Sequence, residues 1–159
     1  EPTEELEMKV LVVDDDQAVR SFLCEALETI GHHVIGVAEN GMEALSLYEK
    51  SRPDLVFMDI DMPIMDGFDI IDVVRRIDPN AKIVVITGTE RRIDEAHKAG
   101  ALGLLRKPFR IQDIELLLSQ IQAAFRVNPR IRPKHLTEIL KRSLVTGVHD
   151  TNVEHKKAS

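Results

Sequence analysis

Five short apolar runs punctuate this chain, "MKVLVV", "HVIGV", "DLVFM", "KIVVI" and "LGLL", and longer stretches with helical periodicity separate them. Helices are predicted to begin near Gln17, Gly41, Gly67, Glu90 and Ile111, with turn signals at Gly31, Asn40-Gly41, Pro53, Pro79-Asn80 and Gly100. Five strand–helix units within about 125 residues predict an α/β fold whose parallel sheet is covered on both faces. Right-handed crossovers then favour an open, doubly wound, five-stranded sheet in the order 2-1-3-4-5.

In such a sheet ligands bind beyond the carboxyl ends of the strands, where the strand order reverses, here between the first and third strands. The first strand runs straight into Asp14, Asp15 and Asp16, and the third ends at Asp59. Thr87 closes the fourth and Lys107 follows the fifth, so four separated segments border one cleft. Two carboxylates about 4 Å apart repel by roughly 4 kcal/mol at an effective dielectric near 20, a cost that a divalent cation removes. Oxygen donors with no His or Cys nearby suit Mg²⁺, which prefers to share its shell with water and phosphate. Asp16 is read instead as the N-cap of the helix from Gln17. An aspartate at a strand end beside a metal can also act as a nucleophile and form an acyl phosphate, and Asp59 is the best placed to do so. The charge that grows on a transferring phosphoryl group needs a metal on one side and a cation with hydroxyl or backbone donors on the other. Lys107 and Thr87 are the right types at the right strand ends. Cys24, among the apolar residues of "SFLCEAL", reads as a small core hydrophobe.

From Met8 to Arg126 the sequence resembles the receiver domain of two-component response regulators. The resemblance rests on the acids of "LVVDDD", the context "MDIDMPIMDG", the hydroxyl residue closing "VVITG" and the lysine-proline of "GALGLLRKPF", in that order. It implies the flavodoxin-like form of the 2-1-3-4-5 sheet. It also implies that Asp59 receives a phosphoryl group from the phosphohistidine of a histidine kinase or phosphotransfer protein. Asp15 and Asp59 would ligate Mg²⁺ together with the backbone carbonyl of Asp61, and Asp14 would act mainly through water. Lys107 would pair with Asp59 at rest and with the phosphoryl group afterwards, Thr87 would move its hydroxyl onto the phosphate, and Gly88 would leave an approach path. Pro63 and Gly67 would shape the loop after the third strand, Gly67 through its backbone freedom, and the Lys107-Pro108 bond would be cis. Such a protein is a phosphoacceptor and signalling switch that promotes its own phosphorylation and dephosphorylation, rather than an enzyme in the usual sense. Two positions depart from the pattern: Leu104 stands where an aromatic switch residue is usual, and Arg110 where an acidic helix cap is common.

Haloacid-dehalogenase-like phosphatases also carry a nucleophilic aspartate in a D-x-D motif, and "MDIDM" has that form, with Asp59 as the nucleophile. Pro63 stands where they carry Thr or Val, and only scattered acids follow the lysine where their second acidic pair belongs. A dinucleotide-binding enzyme fits worse, because no G-x-G-x-x-G follows the first strand.

Charge divides the chain. Residues 1–125 hold 13 Lys/Arg against 24 Asp/Glu, whereas residues 126–159 hold 8 against 3. An acidic body argues against direct nucleic-acid binding by residues 8–126. No apolar run approaches the roughly 20 residues that span a bilayer, and no basic, apolar leader opens the sequence, so a cytoplasmic protein without membrane contact is expected. Residues 1–7 read as an N-terminal extension and 127–159 as a basic linker and C-terminal helix or tail. In that tail Leu136, Ile139, Leu140 and Leu144 share one helical face, fit to pack on the chain itself or on a second copy in a homodimer, the alternatives being the stub of an effector domain or a basic recognition segment.

Overall fold

The computed structural model describes residues 6–127 and 145–147. Strands β1 (Lys9–Val13), β2 (His33–Ala38), β3 (Leu55–Asp59), β4 (Ile83–Thr87) and β5 (Gly103–Arg106) alternate with helices α1 (Gln17–Ile30), α2 (Gly41–Ser51), α3 (Gly67–Ile77), α4 (Ile93–Lys98) and α5 (Ile111–Val127). A 3₁₀ turn, Glu90–Arg92, leads into α4. All strand pairings are parallel and the sheet runs β2-β1-β3-β4-β5, the predicted doubly wound order.

A sixth strand, β6 (Val145–Gly147), extends the sheet beyond β5 in parallel register, pairing Leu104 with Val145 and Arg106 with Gly147. The five expected strands are all present in the expected order, and β6 adds a short one at the edge. Three residues ending in glycine carry too little periodicity to announce a strand, and only the edge of β5 gives them a partner. The helix expected around Leu136 to Leu144 lies outside the described residues.

Every residue of β3 and β4 is buried, as befits central strands covered on both faces. Their runs look uniformly apolar, yet the pleat sorts them into two cores. Val10, Val12, Phe57, Val84, Ile86 and Leu105 face α1 and α5, while Leu11, Val13, Val56, Met58, Val85 and Leu104 face α2, α3 and α4. Cys24 packs at the edge of the first core, where burial pushes its thiol pKa up, in keeping with an inert hydrophobe.

The helix starts follow from local polar chemistry. Asp16 caps α1, accepting from the amides of Ala18 and Val19 at 2.8 and 3.4 Å, as its position in the sequence predicted. Asn40 and Asp66 cap α2 and α3 in the same way. At α5 the departure at Arg110 is offset from inside the helix, because the Asp113 carboxylate accepts from the Arg110 amide at 2.8 Å. Each cap sets the strand-to-helix turn at the carboxyl edge of the sheet, and that edge is where the acidic residues collect.

Candidate functional site

β1 and β3 are adjacent and parallel, so their carboxyl ends deliver Asp14, Asp15 and Asp59 to one spot. Carboxylate oxygens of these three residues lie within 4.8 Å of one another. Asp14 is fully buried and Asp59 is 1 % exposed, whereas Asp15 is exposed. Asp14 Oδ1 accepts from the Asp16 amide at 2.8 Å, and Asp59 Oδ1 from the Asp61 amide at 2.9 Å.

The opposite wall comes from the end of β5. The Lys107-Pro108 bond is cis, as expected. Lys107 Nζ lies 3.1 Å from Asp14 Oδ2 and 3.5 Å from Asp59 Oδ2. Asp14 Oδ2 is buried with the Lys107 ammonium against it, a cation that it shares with Asp59. Burial pushes the Asp59 carboxyl up to about 7, with Asp14 and Asp15 acting in the same direction and the Asp61 amide and Lys107 opposing them. Burial draws the Lys107 ammonium down, but Asp59 and Asp14 outweigh it, so its pKa is raised and it stays charged. One ammonium thus faces three acids, and the cluster keeps an excess of negative charge.

That excess is what a hard cation neutralises. The donor set is carboxylate oxygen throughout, two of the three acids are buried against a single ammonium, and no His or Cys joins the cluster among the described residues. Asp14, Asp15 and Asp59 fit Mg²⁺ on these grounds.

Thr87, at the end of β4, is fully buried. Its hydroxyl donates to Asp61 Oδ2 at 2.9 Å rather than to Asp59. The Gly88 amide donates to the same oxygen at 3.1 Å.

Residues 10–119 match a family model described as the response regulator receiver domain. The chain belongs to this family. It is 41 % identical over 115 residues to the chemotaxis protein CheY of Thermotoga maritima, covering 71 % of this chain and 96 % of that protein. It is 38 % identical over 108 residues to sporulation initiation phosphotransferase F of Bacillus subtilis, covering 67 % and 86 %. Among solved structures it is similar to the Thermotoga maritima response regulator protein TrrA in complex with Mg²⁺ and BeF, at 29 % identity and a TM-score of 0.65, covering 73 % of this chain and 99 % of that one.

In this receiver domain the loop after β3 carries Pro63, which borders an apolar cleft of about 580 Å³ together with Asp15, Met42, Met62 and Ile64. Gly67 is needed for a reason other than the one expected. Its φ is not positive, but a Cβ there would stand 2.5 Å from the Asp59 carbonyl oxygen and 2.6 Å from Ile60 Cα. Close approach to the backbone that carries Asp59, not conformational freedom, excludes a side chain. At Gly88 a Cβ would meet nothing within 4 Å. Leu104 is 1 % exposed, in the core that faces α2, α3 and α4.

Two side chains at the site were missing from the sequence reading. The resemblance implies only a carbonyl role for Asp61, yet its carboxylate accepts from both Thr87 and Gly88. Arg92, in the turn before α4, donates to Asp61 Oδ1 at 3.3 Å and to the Ile60 carbonyl at 2.8 Å, and pairs with Asp66 and Glu95. No spacing rule links residues 31 apart, so nothing in the sequence distinguished Arg92 from its neighbour Arg91.

Proposed function

We propose that this receiver domain accepts a phosphoryl group on Asp59 from the phosphohistidine of a histidine kinase or phosphotransfer protein, and that the reaction depends on Mg²⁺. The acyl phosphate then switches the contacts of the domain with a partner protein or a second copy of itself, in the cytoplasm. One observation carries the reading: the buried Asp59 carboxylate shares a cluster with Asp14 and Asp15 and faces the Lys107 ammonium across it.

An Asp59 oxygen attacks phosphorus as the phosphorus–nitrogen bond of the donor breaks, and the bonding pair leaves with the imidazole nitrogen, which takes up a proton. Asp59 needs no deprotonation by another residue once its charge is compensated. Mg²⁺ held by Asp14, Asp15 and Asp59, with the Asp61 carbonyl, would supply that compensation and neutralise phosphoryl oxygens. Lys107 already touches Asp59 and can follow the negative charge onto the phosphoryl group. The Thr87 hydroxyl and Gly88 amide are fixed donors at the neighbouring strand end. The phosphatase alternative gains no support, because the second acidic pair comes from β1, before Asp59 in the chain, and not after the lysine.

Incubation with acetyl phosphate and Mg²⁺, followed by intact-mass spectrometry, tests the assignment. Wild type should gain one phosphoryl group and lose the gain when EDTA is added first. An equal gain in Asp59→Asn would overturn the assignment.

A further inference from the structure

Thr87 and Gly88 lie at the end of β4, which pairs with the strand that carries Asp59, so their hydroxyl and amide can serve a phosphoryl group on Asp59 as hydrogen-bond donors, but in this structure both are taken. A single oxygen, Asp61 Oδ2, accepts from the two of them, at 2.9 and 3.1 Å. We propose that the Asp61 side chain is an internal anion that occupies the phosphoryl donors of the resting domain, and that Arg92 is the positioning residue that holds it there. The inference rests on the reading of Asp59 as phosphoacceptor.

The geometry favours a held carboxylate over a chance contact. Asp61 follows Asp59 by two residues, and its own amide is fixed on Asp59 Oδ1, so its side chain leaves the backbone at the mouth of the site. Its second oxygen faces Arg92 at 3.3 Å. The Arg92 head is itself fixed on several sides, by the Ile60 carbonyl at 2.8 Å, by Asp66 and Glu95, and by the Phe68 ring 4.8 Å beneath it. Burial lowers the Arg92 pKa, but its hydrogen bonds to Asp66 and Glu95 more than compensate, so it is a permanent cation. Asp61 is therefore gripped at both oxygens, by neutral donors of the β4 end on one side and by a guanidinium of the turn before α4 on the other.

Phosphorylation brings about −1.5 to −2 charges to a point that already holds this carboxylate. Thr87 has one hydroxyl hydrogen and Gly88 one amide hydrogen, so neither can serve both anions. Asp61 must swing away, and with its side chain 31 % exposed it has a path to solvent. Arg92 can keep hold of the other oxygen as it goes. Displacement of Asp61 then changes the contact between the β3–α3 loop and the turn that opens α4, which carries the event toward the α4 face by charge. This route does not need an aromatic at Leu104.

Two measurements test the proposal separately. In ¹H–¹⁵N spectra recorded without metal or phosphodonor, Asp61→Ala should move the Gly88 amide proton upfield, because a bond to a carboxylate is lost. An unmoved Gly88 resonance overturns the contact itself. With acetyl phosphate and Mg²⁺, Asp61→Ala should be phosphorylated about tenfold faster than wild type, the size of effect set by freeing donors from a charged acceptor. Asp61→Asn, which keeps an acceptor oxygen but no charge, should be accelerated by less than half as much. Arg92→Gln should accelerate the reaction in the wild-type background and add nothing to Asp61→Ala. Equal acceleration by Ala and Asn would mean that charge alone matters, and no acceleration by Ala would mean that the donors are not contested; either result sinks the proposal. Failure of wild type to take up phosphate, with the Gly88 shift present, counts against the phosphoacceptor reading instead.

Discussion

Removing the charge of Asp59 should stabilise the metal-free protein, and the effect should grow with pH. Burial is the main reason the Asp59 carboxyl stands at about 7 against its ordinary 3.8, and each pKa unit is worth about 1.36 kcal/mol. Because the folded-state value is the higher one, the folded protein binds the proton more tightly than the unfolded chain. Stability from this group is fully present below pH 3.8, falls as the pH rises, and is gone above about 7. Ionised Asp59 thus costs about 4 kcal/mol at pH 8 in the absence of metal. Asp59→Asn removes that cost and keeps an oxygen for the Asp61 amide, while Lys107 loses one of its two acidic partners but retains Asp14. A net gain of about 2–4 kcal/mol at pH 8 follows, or about 10 °C in Tm for a domain of this size. Urea melts of both proteins in EDTA at pH 5 and pH 8 measure it. The advantage of Asp59→Asn should be about 2 kcal/mol larger at pH 8, and added Mg²⁺ should shrink it by stabilising wild type selectively. An Asp59→Asn protein less stable than wild type at pH 8 in EDTA, or an advantage that does not change between the two pH values, would refute the reasoning.

Further outcomes follow from the same geometry. Asp15→Asn should weaken Mg²⁺ binding and slow phosphorylation at least tenfold while the fold survives, since Asp15 is exposed; calorimetric titration with Mg²⁺ and circular dichroism check both halves. Gly67→Ala should lose about 1–3 kcal/mol in denaturant melts, because the new Cβ meets the backbone of Asp59 and Ile60, which cannot yield as a flexible side chain would. If the switch runs through position 104, as the resemblance implies, the buried Leu104 should limit beryllofluoride to tightening any self-association by less than 100-fold, about 2.7 kcal/mol, as read by sedimentation. A larger shift would show that the switch does not depend on that position.

Residues whose role depends on their place in one element were legible in the chain itself. Apolar runs marked β1 to β5, helix starts fell at Gln17, Gly41, Gly67 and Ile111, and Asp16 announced itself as a cap, because periodicity and capping act within a few residues. Strand ends in a doubly wound sheet share one edge, so the meeting of Asp14, Asp15, Asp59 and Lys107 also followed from order alone. The tertiary structure decided the rest. It brought Arg92 to Asp61 and turned the Asp61 carboxylate onto Thr87 and Gly88. It made Gly67 a matter of space instead of φ, and it gave Val145–Gly147 a sheet edge to join. These contacts are between segments distant in the chain, and their free energy depends on ångström-scale separations and on burial. Local sequence encodes neither, because both are set by how whole elements pack.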